Sequence, residues 1–237
     1  MPLVSLVRHG QASFGAADYD QLSDLGYQQL EHLGAQLRER DEHVDVFVRG
    51  TLRRHAQSLD ALMTGYGTSG GATDVVVDAA WNEFDHRAVM RALGKAQPEL
   101  RSLFATDGTP LIDGDSVLAL FMQSVERWQN DEHDADYEES WSAFVARVER
   151  AWSQLQARFD ASRILVLTSG GPISLSASAS LGLPSEHMMK INAQLVNSGI
   201  SRFLCRSQRN TGPHRKLLSL NEHSHVSGRH QHLLTYR

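Results

Sequence analysis

Cysteine is nearly absent from this chain. The single thiol, Cys205, excludes an intrachain disulfide framework and suits a reducing compartment. No apolar run reaches the length of a membrane span, so no membrane partner is expected. The opening MPLVSLVRHG has neither a basic start nor a long apolar stretch. No secretion signal is therefore expected, and the expected location is cytoplasmic. An excess of basic residues is missing as well. Lys and Arg number 23 against 28 Asp and Glu, a formal net charge of −5. That disfavours general polyanion binding, nucleic acid included, so local positive charge must come from placed arginines. Internal repeats and low-complexity segments are also lacking. What remains is 237 residues, 41% hydrophobic and 22% charged, enough for a single domain (1–237) with a substantial core.

Within that chain, the apolar run Leu3 to Val7 stops at Arg8-His9-Gly10, which reads as a buried strand delivering its last residues into a cleft. Ser23 reads as a helix N-cap, with Asp24 in the first turn. Leu25, Leu30, Leu33 and Leu37 then keep one apolar face to about Arg40. Asp45 to Val48 is a second run, ending at Arg49-Gly50-Thr51. A helix bearing Leu52, Arg53, Arg54, Leu59 and Leu62 follows and stops in the glycine-rich loop 65–71. Val75 to Val77 is a third run, with Trp81, Asn82 and Glu83 beyond it. Residues 84 to about 160 read as a helical insert over the strand ends, with one stripe at Val117, Leu120, Phe121, Val125 and Trp128. A second stripe is Trp141, Phe144, Val145, Val148, Trp152 and Leu155. Its acidic cluster, 131–139, reads as a solvated loop. Ile164 to Leu167 is the fourth run, and Pro172 opens the helix after it. Runs at about Ile200 to Cys205 and Lys216 to Leu220 finish the core, and the tail from Gly228 reads as loosely held. Strands alternating with helices predict an α/β three-layer sandwich: a mostly parallel central sheet with helices on both faces. Ligands of such sheets bind beyond the carboxyl ends of the strands. There lie Arg8, His9, Arg54, Glu83, Ser169 and Gly170.

Together these residues suit a phosphate monoester. Two guanidiniums can hold its charge through paired hydrogen bonds. A neutral imidazole can attack phosphorus, and a carboxylic acid can protonate the leaving oxygen. A nearby dianion favours the protonated carboxyl. The helix opening at Gly170-Gly171 can direct backbone N–H groups at the same anion. Gln11 and Ser13 can line the pocket, or simply be solvated loop residues.

At this point Leu6-Val7-Arg8-His9-Gly10-Gln11 resembles the signature of the histidine phosphatase superfamily, the phosphoglycerate mutase-like proteins. Leu22-Ser23-Asp24-Leu25-Gly26 is similar to the family segment that follows. Leu52-Arg53-Arg54-His55-Ala56-Gln57-Ser58 resembles its second arginine motif, and Ile164 to Pro184 its last strand and helix of the site. The resemblance implies a metal-independent phosphatase, a phosphoric monoester hydrolase working through a phosphohistidine. It implies His9 as nucleophile, Glu83 as proton donor, and Arg8, Arg54, Gln11, Ser169 and Gly170 around the phosphate. The partner implied is a small phosphorylated substrate or inorganic phosphate. No cofactor is expected, and the pair His223-x-His225 lacks the further partners of a metal site. The amphipathic insert suits a homodimer contact.

One departure stands out. The family has a Thr-His-Gly-Gly type sequence after the fourth strand, where this chain has Thr168-Ser169-Gly170-Gly171. Serine is shorter and carries no positive charge, so activity is expected to be reduced. Losing a preorganised donor costs about 10²- to 10³-fold in rate. His55, His86 and His223 are candidates by position to compensate. Alternatives stay open: Arg53 in place of Arg54, and Asp85 as donor with Glu83 paired to Arg87. A weak or inactive relative that binds a phosphorylated ligand or protein partner is a second functional reading. A phosphoglycerate mutase is a third and fits less well. Phe84-Asp85-His86-Arg87 stands where mutases carry Arg-His-Tyr-Gly, and their proline-rich segment is missing.

Overall fold

A computed structural model of the chain describes residues 1–13, 20–68, 75–112, 114–160, 162–208 and 212–236. Phe14, Gly15 and residues 69–71 of the glycine-rich stretch lie outside them. In chain order the elements are β1 (Leu3–Arg8), α1 (Asp24–Glu39), β2 (Val46–Arg49), α2 (Arg53–Tyr66) and β3 (Val75–Val77). Then come α3 (His86–Ala96), α4 (Gly114–Trp128), α5 (Trp141–Arg158), β4 (Arg163–Thr168), α6 (Gly170–Leu181) and α7 (Met188–Asn192). Strands β5 (Ile200–Gln208) and β6 (Gly212–Glu222) complete the set.

The sheet order is β3-β2-β4-β1-β5-β6. β1 and β2 each pair parallel with β4, and β2 with β3. β5 runs antiparallel to β1 and to β6, so it alone is reversed. The mostly parallel sheet is thus present with a reversed strand, because the connection from β5 to β6 is too short for a crossover. Alternation along the strands sorts the core. Val7, Phe47, Leu165 and Leu167 meet Leu30, Leu33 and Leu37 of α1 and Leu59 and Leu62 of α2. On the other face Trp152 packs edge-on against Trp81 and Phe203, and its indole N–H donates to Ser176 Oγ of α6 at 2.8 Å.

The helix ends follow local chemistry. Ser23 caps α1 as its sequence position predicts, accepting from the Gly26 N–H at 3.1 Å. α2 ends at Gly67, whose φ of 89° suits a residue without Cβ.

The chain forms two compact units, 1–83 with 150–237, and 84–149. All six strands belong to the first, as do Trp152 and Leu155. In the second unit Phe84 stacks on Trp128 at 4.7 Å between ring centroids, and Trp141 meets Trp128 edge-on at 5.1 Å. Phe144 closes the same cluster. Phe84, Trp128, Trp141 and Phe144 therefore form a core of this unit's own, while the second stripe continues at Trp152 and Leu155 into the first unit. The acidic cluster departs from a simple solvated loop. Asp136 pairs with Arg127 of α4, and Glu139 takes two hydrogen bonds from Arg147 of α5 at 2.6 and 2.9 Å. Carboxylates so placed tie the turn between two helices.

Candidate active site

The parallel strands bring their carboxyl ends to one edge of the sheet, and the nucleophile candidate stands just beyond β1. The His9 N–H donates to the carbonyl of Thr168, the last residue of β4, at 2.9 Å. The His9 carbonyl accepts from Asn197 Nδ2 at 3.1 Å and from the Ser198 N–H at 3.4 Å. Behind it the Gly10 N–H donates to Ser58 Oγ of α2 at 3.1 Å. Glycine is required at Gly10, because a Cβ would sit 2.4 Å from the Gly26 carbonyl oxygen. The backbone of this loop is therefore clamped by α1, α2, β4 and the turn before β5.

The ring orientation follows. His9 Nδ1 lies 2.7 Å from the Gly10 carbonyl oxygen. A carbonyl can only accept, so Nδ1 carries the proton and Nε2 carries the lone pair. Burial, and then the charges of Arg54, Arg8 and His55, holds this imidazole well below its usual 6.5. The Gly10 hydrogen bond pulls the other way and is outweighed. His9 is thus held toward its neutral form, with a lone pair on Nε2.

The arginines are held differently. Arg8 donates to two main-chain carbonyls, that of Leu195 and that of Tyr236, the latter at 3.0 Å. Arg54 is 7% exposed and Arg53 is exposed, so the second arginine of the pair faces inward. Arg54 donates to Asp20 Oδ1 at 2.7 Å, while Asp20 Oδ2 accepts the Arg53 N–H at 2.8 Å. Asp20 therefore serves the first turn of α2 and orients Arg54 together.

Glu83 follows the turn after β3, and its Oε2 accepts the Gly171 N–H at 3.0 Å. The opening turn of α6 thus meets Glu83 through the Gly171 N–H. Asp85 is taken up elsewhere, capping α3 through the N–H groups of Arg87 and Ala88. Arg87 pairs with Asp107 at 3.5 Å. Gln11 is tied to α1, its Oε1 accepting from Ser23 Oγ at 2.8 Å and its N–H donating to Gln29 Oε1 at 2.8 Å. Ser13 Oγ donates to the Leu22 carbonyl at 3.0 Å.

Ser169 is fully buried and Gly170 is buried at the β4–α6 junction. Of the three histidines considered as compensating, His55 meets Ser169: its Nε2 lies 2.7 Å from Ser169 Oγ. Its ring centroid is 5.9 Å from that of His9. His223 Nδ1 instead donates to the Asn221 carbonyl at 2.6 Å. His86 begins α3 in the helical unit. His225 Nε2 shares a hydrogen bond with Ser198 Oγ at 2.8 Å.

Sequence reasoning missed Asp20, Ser58, Asn197 and the tail. The tail is not loosely held. Leu233 is buried, and Gln29 Nε2 donates to the Leu233 carbonyl at 2.6 Å and to Thr235 Oγ1 at 2.8 Å. The Asn197 N–H donates to the Thr235 carbonyl at 2.9 Å. Gln29 is fully buried, and a buried amide must find partners, which the tail supplies. The available signal was a glutamine on an otherwise apolar helix face.

The family model of the histidine phosphatase superfamily, branch 1, matches residues 4–107 and 112–213. The chain belongs to the histidine phosphatase superfamily. A search of curated proteins finds no match. Among solved structures, a mycobacterial glucosyl-3-phosphoglycerate phosphatase is similar at 18% identity and a TM-score of 0.62, over 92% of this chain and 98% of that one. An alpha-ribazole phosphatase from Shigella flexneri gives 18% and 0.58, over 93% and 96%. A phosphoserine phosphatase from Entamoeba histolytica gives 18% and 0.55, over 96% and 100%. At these identities the likeness establishes the α/β fold of the histidine phosphatase superfamily. These three neighbours are named as phosphatases of small phosphorylated compounds.

Proposed function

We propose that this member of the superfamily hydrolyses small phosphomonoesters through a phosphohistidine at His9. The observation that carries the reading is the Nδ1 hydrogen bond to Gly10, which leaves a neutral imidazole with its Nε2 lone pair available. Arg8 and Arg54 bind the phosphoryl oxygens and offset their charge, which is most of what phosphoryl transfer demands. Nε2 attacks phosphorus while the ester oxygen departs, and the Glu83 carboxyl gives that oxygen its proton. In the second half Glu83 takes a proton from water. The water oxygen bonds to phosphorus, the P–N bond breaks, and inorganic phosphate leaves. Gln11 and the Gly170 backbone border the phosphate. The reading calls on side chains of the chain itself and is metal-independent. The lone buried thiol of Cys205 agrees with a cytoplasmic setting.

The test is a phosphatase assay on small phosphomonoesters, with phosphate label trapped on the protein. His9→Ala is expected to lower kcat by about 10⁴-fold or more and to abolish acid-labile labelling. Undiminished turnover in that variant would falsify the nucleophile assignment. Phosphate binding without turnover in the wild type would turn the reading toward a phosphorylated-ligand binder.

A further inference from the structure

We propose that His55 and Ser169 form a buried relay in which His55 Nε2–H donates to Ser169 Oγ, so that the serine proton is aimed at the transferring phosphoryl group. This deepens the phosphohistidine reading and rests on it. His55 is a positioning residue here, since it acts through Ser169.

Three observations carry the inference. The first is what Ser169 does not do. It occupies the N-cap of α6 with extended backbone, where a serine ordinarily accepts from its own helix. Its side chain makes no capping hydrogen bond, and Oγ lies 2.7 Å from His55 Nε2 instead. The second is burial. Both side chains have 0% exposure, and a leucine could fill the volume of His55 without burying a polar ring. The third is placement. Ser169 directly follows Thr168, whose carbonyl receives the His9 N–H, and the two imidazole centroids are 5.9 Å apart.

The direction of the relay follows from the far side of the ring. Among the described residues His55 Nδ1 has no hydrogen-bond partner, and it faces the Gly50 backbone so closely that a Cβ there would come within 2.3 Å. A buried N–H without an acceptor is worse tolerated than a lone pair without a donor. The proton therefore belongs on Nε2. Burial first, then Arg54 beside it on α2 and Arg49 at the end of β2, keeps His55 well below 6.5, and His9 adds no charge while neutral. A neutral imidazole with its proton on Nε2 can only donate to Oγ. The one proton of Ser169 is then left for an acceptor on the other side, and a phosphoryl oxygen bound beside His9 is that acceptor.

The experiment compares wild type with Ser169→Ala, His55→Leu, His55→Gln and the double variant Ser169→Ala/His55→Leu, using p-nitrophenyl phosphate turnover and trapping of the acid-labile phosphoenzyme. Ser169→Ala and His55→Leu should each lower kcat by about 10²-fold, the size typical of one preorganised donor, with KM within about threefold. The double variant should fall no further than the worse single variant. His55→Gln places an amide N–H near the position of Nε2 and should recover most of the kcat that leucine loses. This variant also covers the case in which leucine disturbs folding. Full kcat in His55→Leu, multiplying effects in the double variant, or equal losses for Gln and Leu would each overturn the relay. If wild type forms the phosphoenzyme and these variants behave like it, the relay alone falls. If wild type turns over without a phosphoenzyme, or does not turn over, the phosphohistidine reading falls and the relay with it.

Discussion

The loop around His9 and the helical unit 84–149 are both well-buried assemblies, yet they are held by opposite means. Around His9 the contacts are directional. Single atoms of Ser58, Thr168, Asn197 and Ser198 meet backbone groups of Arg8, His9 and Gly10. In the helical unit the contacts are areal. Phe84, Trp128, Trp141 and Phe144 share faces and edges at centroid distances between 4.7 and 5.9 Å. Hydrogen bonds fix position to fractions of an ångström and contribute modest net stability, whereas aromatic burial contributes stability with looser geometry. One region is built to place an atom, the other to hold a shape.

That contrast can be broken by substitution. Truncating Trp128 to Ala removes the ring at the centre of the aromatic cluster and should cost about 3–5 kcal/mol, read from a chemical denaturation curve. A loss below about 1 kcal/mol would show that the cluster is not what holds the unit. Acid is the next lever, and it acts on the first unit. His225 is pushed down to about 3, chiefly by burial and then by His32, Arg40 and His223. Its unfolded value is near 6.5, so below that pH the unfolded chain binds a proton that the folded one refuses, and stability falls with pH. At pH 5 the contribution lost is about 2 kcal/mol. His9 and His55 add to the same direction. His225→Gln should flatten the decline of Tm between pH 7 and 5, and an unchanged slope would remove His225 from the account. The smallest effect sharpens the contrast. Ser23→Ala deletes the cap of α1 and should cost about 1 kcal/mol in the same denaturation experiment. A cost near zero would mean that water serves the Gly26 N–H equally well.

Much of the fold and part of the candidate site were legible in the sequence, for a physical reason. Leu3 to Val7 and Ile164 to Leu167 are local apolar patterns, and Ser23 sits three residues before the N–H it caps. Such features need no knowledge of distant residues. Arg54 could be told from Arg53 only by motif register, and it is the buried one. The rest depends on residues far apart in the chain. Asn197 reaches His9 across 188 positions, Gln29 reaches Thr235 across 206, and His55 reaches Ser169 across 114. No periodicity encodes these meetings. Ser169 read alone looked like a deficit, and only the fold shows which histidine has come to meet it.

The tail has a practical corollary. Arg8 leans on the carbonyl of Tyr236, and Asn197 on that of Thr235. Proteolytic loss of these residues would strip the props from the loop that carries His9, while the helices and sheet stood intact. Preparations that match in circular dichroism and elution volume could then differ in specific activity, with the cause visible only in the intact mass.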